Sequence, residues 1–135
     1  MSLERQENGK RNPLRIFLVA KGTMARVMRT RFKAEGHEIA LEAEDLNEAL
    51  EMVKRKVGEG KVSVMVVDPF CGTGIFQGGE LIETSRKNYP KMGIISFSDD
   101  PPPQEFWLAC TPVPQDWEKL SQALRDAAVA TAKKQ

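Results

Sequence analysis

The sequence has little of what most chemistry-bearing small proteins rely on. One histidine and two cysteines (His37, Cys71 and Cys110) stand among 135 residues. That count excludes a disulfide framework and a zinc site with the usual four nitrogen and sulfur ligands. No apolar run approaches the roughly 20 residues needed to span a membrane, and residues 1–12 are polar, without the apolar stretch of a secretory leader. Neither sign of charge is in excess: 20 Lys plus Arg stand against 19 Asp plus Glu, a net charge of +1. A field that weak does not draw nucleic acid or anionic membrane. The expectation is a soluble, cytoplasmic protein with neither as its partner.

What is present is ordinary globular material, 41% hydrophobic and 29% charged. A chain of this length makes one domain and can bury roughly 70% of its unfolded surface. Residues 1–13 are charged and aperiodic and read as a flexible lead-in, residues 14–131 as the domain, and 132–135 as a tail. No internal repeat and no low-complexity segment interrupts it.

Short apolar runs alternate with amphipathic stretches. Ile16 to Ala20 is too short for a helix and reads as a strand buried on both faces. Thr23 is placed to cap a helix with Met24, Val27, Met28 and Phe32 on one face, ending at Gly36. His37 to Ala43 reads as a strand in which Ile39 and Leu41 alternate with polar positions. Asp45 begins the clearest helix, with Leu46, Ala49, Leu50, Val53 and Val57 in register, Glu48 completing a capping box and Gly58 as the stop. Val62 to Val67 is another strand, ending at Asp68, and a glycine-rich loop follows. A helix is expected from Glu80 to about Tyr89, strands over Met92 to Phe97 and Phe106 to Cys110, and a last helix from near Pro114. Five buried strands separated by helices predict a doubly wound parallel α/β sheet. In such a sheet, ligands gather at the carboxyl ends of the strands, near the point where strand order reverses. The positions to inspect are Ala20 to Gly22, Asp68 to Gly74, Ser98 to Asp100, and Thr111.

The order and spacing of these pieces resemble the response-regulator receiver domain of the chemotaxis type. The likeness rests on Gly22-Thr23-Met24 with the helix after it, Leu41 to Asp45 running into Asn47-Glu48-Ala49-Leu50, and Val64 to Asp68. Gly79-Glu80-Leu81-Ile82 and Ile94 to Ser98 complete it. The resemblance implies a flavodoxin-like five-stranded sheet of order 2-1-3-4-5, with Asp68 as the phospho-acceptor candidate and Ser98 as the hydroxyl that contacts the phosphoryl group. Thr111 would close the site from the fifth strand.

The same comparison exposes departures. The family holds a divalent cation with an acidic pair after the first strand; here those positions are Ala20 and Lys21, and neither offers magnesium the oxygen ligand it requires. Thr111-Pro112 stands where a Lys-Pro pair is expected. Mg²⁺-dependent phosphorylation is therefore not expected, no cofactor is assigned, and the domain reads as a degenerate receiver that is a binding module rather than an enzyme. Lys21 either replaces the metal by pairing with Asp68 or extends to water. Pro101-Pro102-Pro103 leaves no room for the family's fourth helix. Its loss would uncover apolar surface near Phe97, Phe106 or Trp107 for a protein partner or a second copy, unless the proline loop covers that surface itself.

Other readings compete. Asp68 could still accept phosphate in a genuine response regulator fed by a histidine kinase, to which Arg26, Arg29 and Lys33 would offer a basic stripe; a solvated face is the simpler explanation of that stripe. Asp68-Pro69-Phe70-Cys71-Gly72-Thr73-Gly74 also resembles the first motif of S-adenosylmethionine-dependent methyltransferases, with Asp99 or Asp100 as the ribose ligand. Few residues follow for the rest of that fold. Cys71 and Cys110 read as inert buried thiols before they read as a redox pair.

Overall fold

Hydrophobic runs bounded by glycine or acid become strands here, and helical stripes become the layers that cover them. The computed structural model describes residues 13–68, 79–99 and 110–134. Along the chain lie β1 (Arg15–Val19), α1 (Gly22–Ala34), β2 (Glu38–Ala43), α2 (Leu46–Lys54), β3 (Val64–Val67), α3 (Gly79–Asn88), β4 (Gly93–Phe97), β5 (Thr111–Val113) and α4 (Trp117–Lys134). The five strands are parallel in the order β2-β1-β3-β4-β5. This is the flavodoxin-like arrangement that the sequence predicts, with its switch point between β1 and β3.

Strand alternation divides the core into two layers. Ile16, Leu18, Val64, Val66, Ile95, Phe97 and Val113 face one way, beneath Ala25, Met28 and Phe32 of α1 and Leu120 and Leu124 of α4. Phe17, Val19, Met65, Val67 and Ile94 face the other way, beneath Ala49 and Val53 of α2 and Leu81 and Ile82 of α3. Because β1, β3 and β4 are covered on both faces, Ile16–Val19 and Val64–Val67 are apolar throughout, and β4 breaks its apolar run only with buried Ser96.

The caps are partly as expected. Asp45 accepts from the Glu48 N–H at 2.8 Å, and Glu48 reaches back to the Glu44 N–H at 2.8 Å. At α1, Thr23 is not the cap. The helix starts two residues earlier, capped from Lys21 with no side-chain bond, and Gly22 at φ +63° turns the chain straight out of β1. α2 ends at Lys54, short of Gly58, and positive-φ Lys56, Gly58 and Gly60 carry the chain on to β3.

Two strands depart from expectation. In β2 the register jumps from Ile16↔Ile39 to Phe17↔Leu41, skipping Ala40. This bulge sends Ile39 into the α1 layer and Leu41 into the α2 layer, where simple alternation would give them one face. The fifth strand is Thr111–Val113; of the strand expected over Phe106 to Cys110, only Cys110 is among the described residues, and it lies just before β5. The β4–β5 connection therefore runs from 98 to 110, longer than the sequence predicts. The expected loss of a helix there, with its candidates Phe106 and Trp107, falls on residues 100–109, outside the described residues. Four helices are present among the described residues. None of them is long and apolar enough to cross a membrane.

Candidate functional site at the carboxyl edge of the sheet

The sheet brings three of the candidate positions side by side. Ala20, Asp68 and Ser98 each lie one residue beyond a strand and are held by a further ladder hydrogen bond. The Ala20 N–H donates to Ala43 O at 3.2 Å, the Asp68 N–H to Val19 O at 2.9 Å and the Ser98 N–H to Val113 O at 2.9 Å. Neighbouring strands lie about 4.8 Å apart, so Asp68 is one strand from Ala20 on one side and one strand from Ser98 on the other. The edge is therefore ordered backbone on which the ends of β1, β3 and β4 lie side by side.

The chemistry along that edge is sparse. Ala20 is buried in the α1–α4 layer and offers a methyl group where an oxygen would be needed. Lys21 is exposed, whereas Asp68 is half-buried. Lys21 is thus not buried in place of a metal. Ser98 is half-buried beside Asp99, whose Oδ1 accepts from the Gln115 N–H at 2.9 Å. That bond ties the end of β4 to the connection leading into α4.

Two candidates are displaced. Thr111 does not close the edge. It is Cα partner to Ile95, at the opposite end of β5, and it is exposed. The residue level with the end of β4 is Val113, partner to Phe97 and followed by Pro114. Val113 is buried, so a hydrocarbon side chain rather than a hydroxyl ends β5. Sequence reasoning missed Val113 because it placed the strand upstream on the apolar run at Phe106. Phe97, expected at an uncovered face, is 1% exposed and packs against Trp117 with ring centroids 5.0 Å apart. It points into the α1–α4 layer, away from the side that the β4–β5 helix would have covered.

Cys110 precedes β5 and is buried in the α2–α3 layer, where loss of solvation pushes its thiol up to about 11. A thiol held protonated in this way is a poor nucleophile. Cys71, with the rest of the glycine-rich loop from Pro69 to Gly78, lies outside the described residues, as does Asp100. No family model matches the chain, and no curated protein is significantly similar to it.

Proposed function

We propose that the chain is a receiver-like signalling module that acts through protein–protein contact, without metal-dependent phosphoryl transfer. The observation that carries this reading is the composition of the carboxyl edge. Asp68 stands one strand from Ala20 and Lys21, and Val113 ends β5. Phosphoryl transfer to a carboxylate develops charge on crowded oxygens, and that charge is met by a divalent cation and fixed positive groups. Magnesium takes oxygen ligands in near-octahedral geometry. Among the described residues, the side chains of Ala20, Lys21 and Val113 supply none and no cluster that could hold a metal is found, so the described edge does not fit the metal and no step is routed through one. What such an edge can do is hold one conformation and present its surface to another protein.

Amide NMR of the full chain with Mg²⁺ and beryllofluoride tests this reading, with S-adenosylmethionine added to a parallel sample. Silence of Ala20, Asp68 and Ser98 in both samples is the expected result. Shifts at Asp68 and Ser98 with beryllofluoride would identify a working phospho-acceptor site and overturn the proposal. Shifts with S-adenosylmethionine would replace it with a cofactor-binding role.

A further inference from the structure

We propose that His37 is a pH-sensitive latch that pins the entry of β1 to the corner between α1 and β2. The inference is independent of the function proposed above. α1 ends in a Schellman motif, with Gly36 at φ +91°. The Gly36 N–H donates to Lys33 O at 3.0 Å, and the His37 N–H donates to Phe32 O at 2.9 Å. This closure fixes the backbone of His37 and leaves its ring to meet the opposite strand. Nδ1 of His37 accepts from the Leu14 N–H at 3.1 Å, while the Glu38 N–H donates to Leu14 O at 2.9 Å. Leu14 is 1% exposed and belongs to the α1–α4 core layer. Both main-chain polar groups of a core residue are thus held by the dipeptide His37-Glu38.

An imidazole nitrogen that accepts a hydrogen bond carries no proton, so this contact exists only while the ring is neutral with its proton on Nε2. Protonation at Nδ1 sets two donors against each other and leaves the Leu14 N–H without its acceptor. The Glu35 carboxylate at the end of α1 acts on the ring, while Arg15 in β1 and Glu38 in β2, Cα partners of each other, are the chain neighbours of Leu14 and His37. Burial lowers the pKa of the ring, and the Glu35 carboxylate acts in the opposite sense. The neutral form therefore dominates at neutral pH and gives way only on acidification below the ordinary imidazole range. The proton acts at the amino edge of the sheet, at the opposite end of the strands from Asp68 and Ser98.

NMR of the full chain tests the latch. Imidazole nitrogen shifts report the tautomer, and exchange of the Leu14 amide, corrected for its intrinsic pH dependence, reports the bond. The expected result is an Nε2–H tautomer at neutral pH and a loss of Leu14 protection of about tenfold as the ring titrates. The Ser98 and Asp99 amides should stay put. His37→Asn places an uncharged oxygen near the position of Nδ1 and should keep Leu14 protected at every pH. An Nδ1–H tautomer, or Leu14 protection indifferent to titration of the ring, would overturn the proposal. So would a step that survives in His37→Asn.

Discussion

Trp117 lies between a core ring and a surface cation: its ring is centred 5.0 Å from that of Phe97, tilted by 45°, and the Arg31 guanidinium carbon lies 5.3 Å from its centroid. Phe97 is the last residue of β4, Trp117 the first of α4, and Arg31 belongs to α1. Arg31 also donates to Ser121 Oγ at 3.4 Å and pairs with Glu35 at 3.8 Å, and Ser121 donates to Glu35. One aromatic contact thus joins the carboxyl end of the sheet to the seam between the two helices covering that face.

Removing Phe97 should be costly and removing the cation should not. Phe97→Ala empties a fully buried position, and we expect a loss of about 3–5 kcal/mol in urea unfolding. Arg31→Met should cost far less. A double-mutant cycle of Arg31→Met with Trp117→Leu should give a coupling of about 0.5–1 kcal/mol. A coupling near zero would mean that the guanidinium sits over the ring without contributing to stability.

The two capping aspartates offer a cleaner comparison. Asp45 accepts from the Glu48 N–H, and Asp116 Oδ1 accepts from the N–H groups of Glu118 and Lys119 at 3.0 and 3.2 Å. Asp45→Ala and Asp116→Ala should each lower stability by about 1 kcal/mol, and Asp45→Asn and Asp116→Asn by much less. Equal losses for the Ala and Asn variants in thermal melts would show that charge near the helix dipole, rather than the cap bond, carries the effect.

How far the sequence speaks depends on how local the cause is. The central strands were legible because strands covered on both faces are mostly apolar, with Ser96 in β4 the polar exception, and Asp45 with Glu48 announced α2 through a bond between residues three apart. The bulge at Ala40 was not legible. It is a property of the pairing between β1 and β2, and the sequence of β2 alone gives both Ile39 and Leu41 one face. The fifth strand was misplaced because Phe106 to Cys110 is the more hydrophobic run, whereas Thr111-Pro112-Val113 carries a proline that normally argues against a strand. Edge strands tolerate proline, since one side of their backbone has no ladder to complete. That single displacement moved the edge position from Thr111 to Val113.

Tyr89 predicts an alkaline weakness. Its hydroxyl donates to the Val57 carbonyl, and Asn88 Nδ2 donates to Val53 O at 3.0 Å, so the end of α3 is fastened to the turn after α2. Burial, aided by Glu59, raises the phenol above its ordinary value of 10.0. A group whose folded pKa exceeds its unfolded one stabilises the fold fully below the unfolded value. That contribution is lost as pH rises through the folded pKa. Tyr89→Phe should lose about 1 kcal/mol at neutral pH and show a flatter decline in urea midpoint at strongly alkaline pH than the parent protein. An identical alkaline decline in both would place the titrating group elsewhere.

Cys110 should be silent toward thiol reagents until the protein unfolds. Its thiol is buried and held protonated up to about pH 11, so the thiolate that attacks a disulfide reagent is scarce at neutral pH. In a Cys71→Ser chain, labelling by an aromatic disulfide reagent should follow the unfolding transition in urea and be negligible before it. Rapid labelling of the folded chain would show that the β4–β5 connection opens locally and often.

The carboxyl edge itself can be tested by restoring what it lacks. Ala20 is buried, so Ala20→Asp with Lys21→Asp places two carboxylates beside Asp68, one of them out of water, and like charges at short range repel. The double variant should therefore melt at lower temperature than the parent in metal-free buffer. If the backbone of the edge holds these positions as a receiver would, Mg²⁺ binds the three carboxylates and returns stability by mass action, about 1.4 kcal/mol at a tenfold excess over Kd. The parent protein should show no such gain at the same ionic strength, because alanine and lysine give the ion nothing to bind. A variant destabilised but indifferent to Mg²⁺ would mean that Ala20 and Asp68, although on adjacent strands, do not direct their side chains to a common point.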